Sequence, residues 1–244
     1  MLAPIELAGS EYWEARRLLK NAAHVLVITG AGISEESGIP TFRGPRGIWN
    51  DPGLIRDLAD RSSPEQFLKN GWKWTYRFRM QINATAPNRA HRALAAWVRS
   101  RGNTLLVTQN VDGLHERAGH QGVIAMHGSL WMNRCLRCNN ERFDATLHAE
   151  GIPRSPCCRA PERPSVVLFG EDIPGRAIER VVEVLPQTDV LLVIGTSGQV
   201  MPASEIIRLA FEEGKTVIDV NPERLVQSHF HFPYKASEFV PLLF

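Results

Sequence analysis

The sequence has no run of apolar residues approaching the roughly 20 needed to cross a bilayer, which excludes a membrane-spanning helix. It has little excess charge: a net charge of +2 and a pI near 8.4 are too mild to hold a polyanion, so stable nucleic-acid binding is excluded too. No internal repeat is visible. The first residues, MLAPIELAGSEYWEARRLLK, carry early acids and no apolar core, so neither a secretory signal nor a basic transit peptide is expected, and the cytoplasm is the predicted location. Cysteine is scarce, with four in the whole chain, and disulfides are not expected in that compartment. Neither a nucleophilic serine motif nor a cysteine beside a histidine base is present, so any nucleophile should come from substrate or water. What remains is ordinary for a globular protein: 244 residues, 43% hydrophobic and 22% charged, enough for one large domain plus a small module.

The most informative stretch present is VLVITGAGISEESGIPTFRGPRGIW, residues 25–49. Val25, Leu26, Val27 and Ile28 form the continuous apolar run of a central parallel strand. Gly30 and Gly32 then remove Cβ atoms that would block close backbone approach, and the SEES segment offers helix-starting residues whose free N–H groups could face an anion. The dehydrogenase fingerprint does not fit. Ser34 and Glu35 stand where its third glycine belongs, and two prolines follow where it needs a helix and a second strand. The turn by itself is either a nucleotide site or a tight packing turn.

Two further segments, TQNVDGLH at 108–115 and MHGSLW at 126–131, each follow a short apolar strand, LLV at 105–107 and VIAM at 123–126. Ligands of open α/β sheets gather beyond the carboxyl ends of the strands, so Gln109, Asn110, Asp112 and His127 should converge on whatever Gly30 to Ser34 cradles. Taken singly, the first segment is more readily a plain turn made by Asn110 and Asp112, and the second a satisfied buried histidine; jointly that reading is improbable.

Together with FGE at 169–171, GTSGQVMPAS at 195–204 and NPE at 221–223, these motifs resemble, in order, those of the sirtuins, NAD-dependent protein lysine deacylases. The resemblance runs from residue 25 to the C-terminus. It implies NAD as cofactor and acyl-lysine proteins or peptides as partners. By the same resemblance Gly30, Ala31, Gly32, Ile33 and Ser34 cradle the cofactor, Phe42 screens the reacting ribose carbon, Arg43 meets the phosphates or orders the loop, and Trp49 belongs to the same cofactor set. Val111 and Asp112 hold the nicotinamide carboxamide, Gln109 and Asn110 contact the ribose and a water, and His127 is the general base on a ribose hydroxyl, with Asn110 and Asp112 sharing the catalytic set. Gly195, Thr196, Ser197, Asn221, Glu223 and Ala236 complete the cofactor contacts, while Val167, Phe169, Gly170 and Glu171 pair with substrate peptide as an added strand.

The cysteines are Cys135, Cys138, Cys157 and Cys158. CLRC has the spacing of a metal knuckle, and a second pair about 20 residues on would close a tetrahedral zinc site. That second pair is adjacent here, whereas most sirtuins carry another CxxC. Counting back from Phe169 puts Cys158 at the fourth ligand position and Ser155 at the third, so Cys157 must reach in from a shifted backbone. A structural zinc is expected; the alternative is an eroded module of ordinary reduced thiols.

Apolar runs and breakers predict helices near 11–21, 87–100, 175–185 and 203–213, alternating with strands at 165–169, 189–195 and 216–221. This is the pattern of an α/β, doubly wound parallel sheet of Rossmann-like type. The expected domains are 1–43, 86–128 and 165–244 for cofactor binding, with a small inserted domain of helices (44–85) and the cysteine module (129–164). A monomer is predicted. The acyl group is ambiguous. Thr41 stands where deacetylase-type sirtuins usually carry aspartate, which resembles the branch removing succinyl and malonyl groups, and Arg77 matches that branch's carboxylate-binding arginine. Its partner tyrosine is replaced by Trp74, so Trp74 and Arg77 are candidate substrate contacts or, equally, core packing and a solvated charge. Deacetylation with shifted acyl preference is expected; NAD hydrolysis or ADP-ribosyl transfer, and a silent NAD-binding zinc adaptor, stay open.

Overall fold

The computed structural model describes residues 4–42, 47–60, 62–168 and 170–244; the expected site residues Arg43 and Phe169 lie outside the described residues. Helix α1 (Pro4–Asn21), interrupted at Gly9 where φ is 55°, leads into β1 (Val25–Thr29). A single helical turn, α2 (Gly32–Glu35), is followed by a 3-10 turn at Ile48–Asn50 and by α3 (Pro52–Ala59) and α4 (Pro64–Asn83). Then come α5 (Arg89–Arg99), β2 (Thr104–Thr108), α6 (Leu114–Arg117) and β3 (Ile124–Ala125). A second sheet holds β4 (Gly128–Cys135), β5 (Glu141–Phe143) and β6 (Glu162–Val166). The chain ends with α7 (Gly175–Val184), β7 (Val190–Ile194), α8 (Ala203–Glu212), β8 (Thr216–Val220), β9 (Phe230–Phe232) and α9 (Ala236–Leu243).

The main sheet runs β3-β2-β1-β7-β8-β9 with every neighbouring pair parallel, as the alternating pattern predicts. Its central strands β1 and β7 are almost entirely apolar because both faces are covered. Val25, Val27, Leu192 and Ile194 pack into a core shared with α1, α5 and α9, whereas Leu26, Ile28, Leu191 and Val193 pack under α7 and α8. Fully burying one such side chain contributes about 1.5–3 kcal/mol, so a one-residue slip of any central strand is strongly resisted. The helices start where capping chemistry allows. Asp51 accepts from the N–H groups of Gly53 and Leu54 ahead of α3, Ser63 from Gln66 ahead of α4, and Asn88 from Ala90 ahead of α5.

Four elements differ from the sequence reading. SVVLF is not a strand of the main sheet: Ser165 and Val166 close β6, which pairs antiparallel with β4 in the small sheet. The HGSLW segment, which had no predicted element, begins β4, Gly128–Cys135, the central strand of that sheet. The close approach of β6 needs Gly128, where φ is 76° and a Cβ would sit 2.0 Å from the Ser165 carbonyl oxygen. Finally β9 and α9 were not foreseen, because a three-residue strand and a helix containing Pro241 carry little periodic signal. No helix among the described residues is long and apolar enough to cross a membrane.

Candidate active site

The carboxyl ends of β1, β2, β7 and β8 deliver their following residues to one cavity of ≈ 1630 Å³, roofed by α3 and α4. Gly30, Asn110, Asp112, His127, Thr196 and Asn221 all line it. The glycines act differently from expectation. A Cβ on Gly30 or Gly32 would meet Gly195 or Thr196 within 2.7–2.9 Å, so these glycines let two turns of the chain's own backbone interlock. The anticipated free N–H groups are also largely used: Gly32 donates to Gly195 O, Ile33 to Gly30 O and Ser34 to Ala31 O. The Ile33 side chain lies in the core beside Val27, so it offers the cavity no side-chain contact.

Asp112 is the most constrained group of the site. Its Oδ1 accepts from Leu114 N–H at 2.8 Å and its Oδ2 from the Ser34 hydroxyl at 2.7 Å, while its carbonyl accepts from the Trp131 indole at 2.7 Å. Burial pushes the Asp112 carboxyl above the usual range, against the lowering effect of those two donors. Asn110 donates through Nδ2 to Gly30 O and to Ser34 Oγ, tying β2 to the glycine turn. Gln109 donates to Thr196 Oγ1 at 2.7 Å, and Asn221 to the Thr196 carbonyl at 2.8 Å, so the loops after β2, β7 and β8 are cross-linked.

His127 is half-buried at the cavity wall, its Nδ1 2.9 Å from the Gln109 carbonyl oxygen. A carbonyl only accepts, so Nδ1 carries the proton and Nε2 is the basic nitrogen of the neutral ring. Burial lowers its pKa from the ordinary value, more than the Gln109 and Met201 carbonyls raise it. Behind this site lies a polar column that the sequence reading missed. His91 Nε2 stands 3.4 Å from Ser34 Oγ, and His115 Nε2 stands 2.9 Å from Thr29 Oγ1, which donates to Thr108 Oγ1. Burial holds His91 at about 4, and His115 well below the usual value, so both are neutral at pH 7. Thr108 Oγ1 in turn accepts from Asn110 N–H. The only sequence signal was a threonine closing each of β1 and β2.

Phe42 and Trp49 stack with centroids 6.0 Å apart on the cavity wall. Ala31, Val111, Gly195, Ser197, Glu223 and Ala236 also line it, Glu223 from an exposed position. Val167 N–H bonds the His127 carbonyl, which sets the expected peptide-pairing segment beside the histidine. Gly170 and Glu171 line the cavity as well, but the Glu171 carboxylate is engaged by Arg163 at 2.5 Å and by Leu168 N–H at 3.0 Å. Trp74 is on the cavity wall, whereas Arg77 is not. Arg77 is exposed, stacks 4.4 Å from the Trp74 ring centroid and lines a separate, smaller pocket.

All four cysteine sulfurs lie within 4.8 Å of one another, with Cys135–Cys158 at 3.3 Å and Cys138–Cys157 at 3.1 Å. Cys157 does reach in, through a turn in which Arg159 takes φ 60° and Ser155 Oγ sits 3.0 Å from Cys157 Sγ. Backbone N–H groups of Cys138 and Arg137 draw the Cys135 thiol down to about 6. Four converging thiols, one already favouring the thiolate, are the donor set of a structural zinc site.

A family model described as Sir2 family matches residues 30–202. An NAD-dependent protein deacylase of Aquifex aeolicus (strain VF5) is 44% identical over 222 residues, covering 88% of this chain and 91% of the relative. The chain belongs to the Sir2 family. Its fold agrees: a solved Sir2 homolog–NAD complex has a TM-score of 0.83 at 34% identity, with 95% of this chain and 91% of that one covered. A Sir2–p53 peptide–NAD+ complex has a TM-score of 0.76 at 29% identity, with 94% and 95% covered. In this sirtuin, as in the sequence motifs, the glycine turn, the QNVD segment and the HG histidine share one cavity.

Proposed function

We propose that this sirtuin is an NAD-dependent protein lysine deacylase that releases nicotinamide and O-acyl-ADP-ribose. The observation that carries the reading is His127: a neutral imidazole, held through Nδ1 by Gln109 and presenting Nε2 as a base, in the same cavity as Asn110 and Asp112. Asn110 supplies the fit test for a dinucleotide, since its Oδ1 is buried with no partner among the described residues. When bound, NAD supplies an ADP-ribosyl group whose bond to nicotinamide breaks as the acyl oxygen takes its place. The chain's residues divide the remaining work. Phe42 and Trp49 exclude water from the reacting end, Val111 and Asp112 hold the nicotinamide, and Asn110 and Gln109 position the ribose. His127 would take the proton of a ribose hydroxyl at Nε2 so that this hydroxyl captures the acyl carbon, whose bond to the lysine nitrogen then breaks with the addition of one water, leaving the free lysine amine. Gly195, Thr196, Ser197, Asn221, Glu223 and Ala236 hold the rest of the dinucleotide. The helices of 44–85 and the module of 129–164 form the small domain that covers the acyl-lysine.

Nicotinamide release, measured with and without an acetyl-lysine peptide, is expected to require the peptide. Equal release without peptide would mean NAD hydrolysis, and no release at all would mean a silent binding protein.

A neutral acyl group is favoured over an acidic one. The Trp74 indole N–H, which stands in for the tyrosine hydroxyl of the acidic-acyl pattern, is already given to Asp57 Oδ2 at 3.1 Å, and Arg77, the matching arginine, lies outside the main cavity. Arg77→Met is therefore expected to leave kcat/KM for acetyl-lysine and succinyl-lysine peptides within about two-fold of wild type. A loss of about ten-fold or more confined to the succinyl peptide would restore the acidic-acyl reading.

A further inference from the structure

The arm of the cavity beneath α3 and α4 is lined by Leu54, Leu58, Phe67, Leu68, Gly71 and Trp74. Behind it lies the second cavity, of ≈ 470 Å³, which shares Ile48, Leu54, Trp74, Phe78 and Gln81 with the first and adds Arg77 and Met80. The shared residues are a partition, and Trp74 has the largest side chain in it. Trp74 is 6% exposed and held from three directions: Nε1 donates to Asp57 Oδ2 at 3.1 Å, the Arg77 guanidinium lies 4.4 Å from the ring centroid, and Lys73 Nζ lies 5.5 Å away. Asp57 is itself fixed. Lys73 Nζ bonds the same Oδ2 at 2.7 Å, and Asn70 Nδ2 bonds the Asp57 carbonyl at 2.9 Å. An indole hydrogen-bonded at its edge and flanked by two cations does not swing aside as a free aromatic ring would.

We propose that Trp74, fixed by Asp57, is the wall that ends the acyl tunnel. The substrates are then lysines bearing short, neutral acyl groups, and removing the indole joins the two chambers and admits long chains. The proposal rests on the deacylase reading and deepens it. Each further methylene that finds an apolar chamber strengthens binding by ~4-fold, so a chain stopped by the wall forgoes a gain that an open tunnel would return.

One peptide carrying acetyl-, butyryl- or octanoyl-lysine separates the possibilities. Wild type is expected to lose at least about ten-fold in kcat/KM between butyryl and octanoyl, and Trp74→Ala to raise the octanoyl-to-acetyl ratio by at least about ten-fold. Asp57→Ala should shift the ratio in the same direction. Asp57→Asn, which retains an oxygen acceptor for the indole, should keep the wild-type profile, an outcome that a general folding role for Asp57 does not predict. Should Trp74→Ala not fold, Trp74→Leu is expected to give the same direction of change. A wild type that takes octanoyl as readily as acetyl overturns the wall, and so does an unchanged ratio in a folded Trp74 variant. If wild type deacylates none of the peptides with NAD, the deacylase reading itself fails; if it deacylates them and the profile does not move, only the wall fails.

Discussion

His127→Ala is expected to bind NAD normally and to lose NAD-dependent deacylation by at least about 100-fold, the lower end of what removal of a general base costs. The two halves of this expectation rest on different contacts. Dinucleotide binding draws on the loops after β1, β2, β7 and β8, which are tied together by the Asn110–Gly30, Gln109–Thr196 and Asn221–Thr196 hydrogen bonds and do not need the imidazole side chain. Proton removal draws on Nε2 alone. Isothermal titration with NAD and steady-state kinetics on an acetyl-lysine peptide measure the two separately, and near wild-type turnover in the variant would sink the proposed role. The pH profile gives a second reading. The base must be neutral to act, and burial lowers the pKa of His127, so activity is full above that lowered value and lost as pH falls through it. The acid limb of kcat/KM should therefore lie below the ordinary histidine value of about 6.5.

Removal of one zinc ligand is the second large effect. About one equivalent of zinc per chain is expected, and Cys135→Ala should lose it and lower the melting temperature by about 10 °C or more. The reason lies in where β4 goes. Cys135 is fully buried at its end, and the same strand carries Trp131, whose indole bonds the Asp112 carbonyl, and Leu130, whose N–H bonds the Val111 carbonyl. Loss of the metal thus loosens a strand that reaches the segment of Val111 and Asp112. Ser155→Ala removes only a hydroxyl beside Cys157 Sγ and should cost less than about 4 °C. Metal analysis of reduced, chelator-washed protein decides whether the adjacent cysteines close the site; finding no zinc would show that they do not.

Local chemistry accounts for how much of this site could be read in advance. Asn110, Asp112 and His127 were legible because each follows an apolar strand, and parallel strands of one sheet deliver their carboxyl ends to the same edge. The glycines were legible as a tight turn, but their reason was not. Whether a missing Cβ makes room for phosphate or for Gly195 depends on β7, whose Val190 lies 165 residues beyond Val25 in the chain and beside it in the sheet. Beyond a threonine closing each of β1 and β2, the column of His91, His115, Thr29 and Thr108 left no signal, since isolated polar residues in helices and strands become a column only when α5, α6, β1 and β2 pack together.

By itself the sequence determined the central parallel strands, the main flanking helices and the cysteine knuckle and, through its resemblance to the sirtuins, the order of the candidate site segments. The strands, helices and knuckle follow from periodicity, breakers and spacing within a few dozen residues, whereas the order of the site segments rests on the resemblance. Tertiary structure alone decided the rest. It sent Ser165 and Val166 into the small sheet, because a short apolar run pairs with whichever strand edge lies beside it, here β4 at Gly128. It drew Cys157 into the cluster in spite of its spacing. It also gave Trp74 and Arg77, stacked neighbours three residues apart on α4, different surroundings: the indole is buried against Asp57 and the main cavity, while the guanidinium lies over the ring from the exposed side.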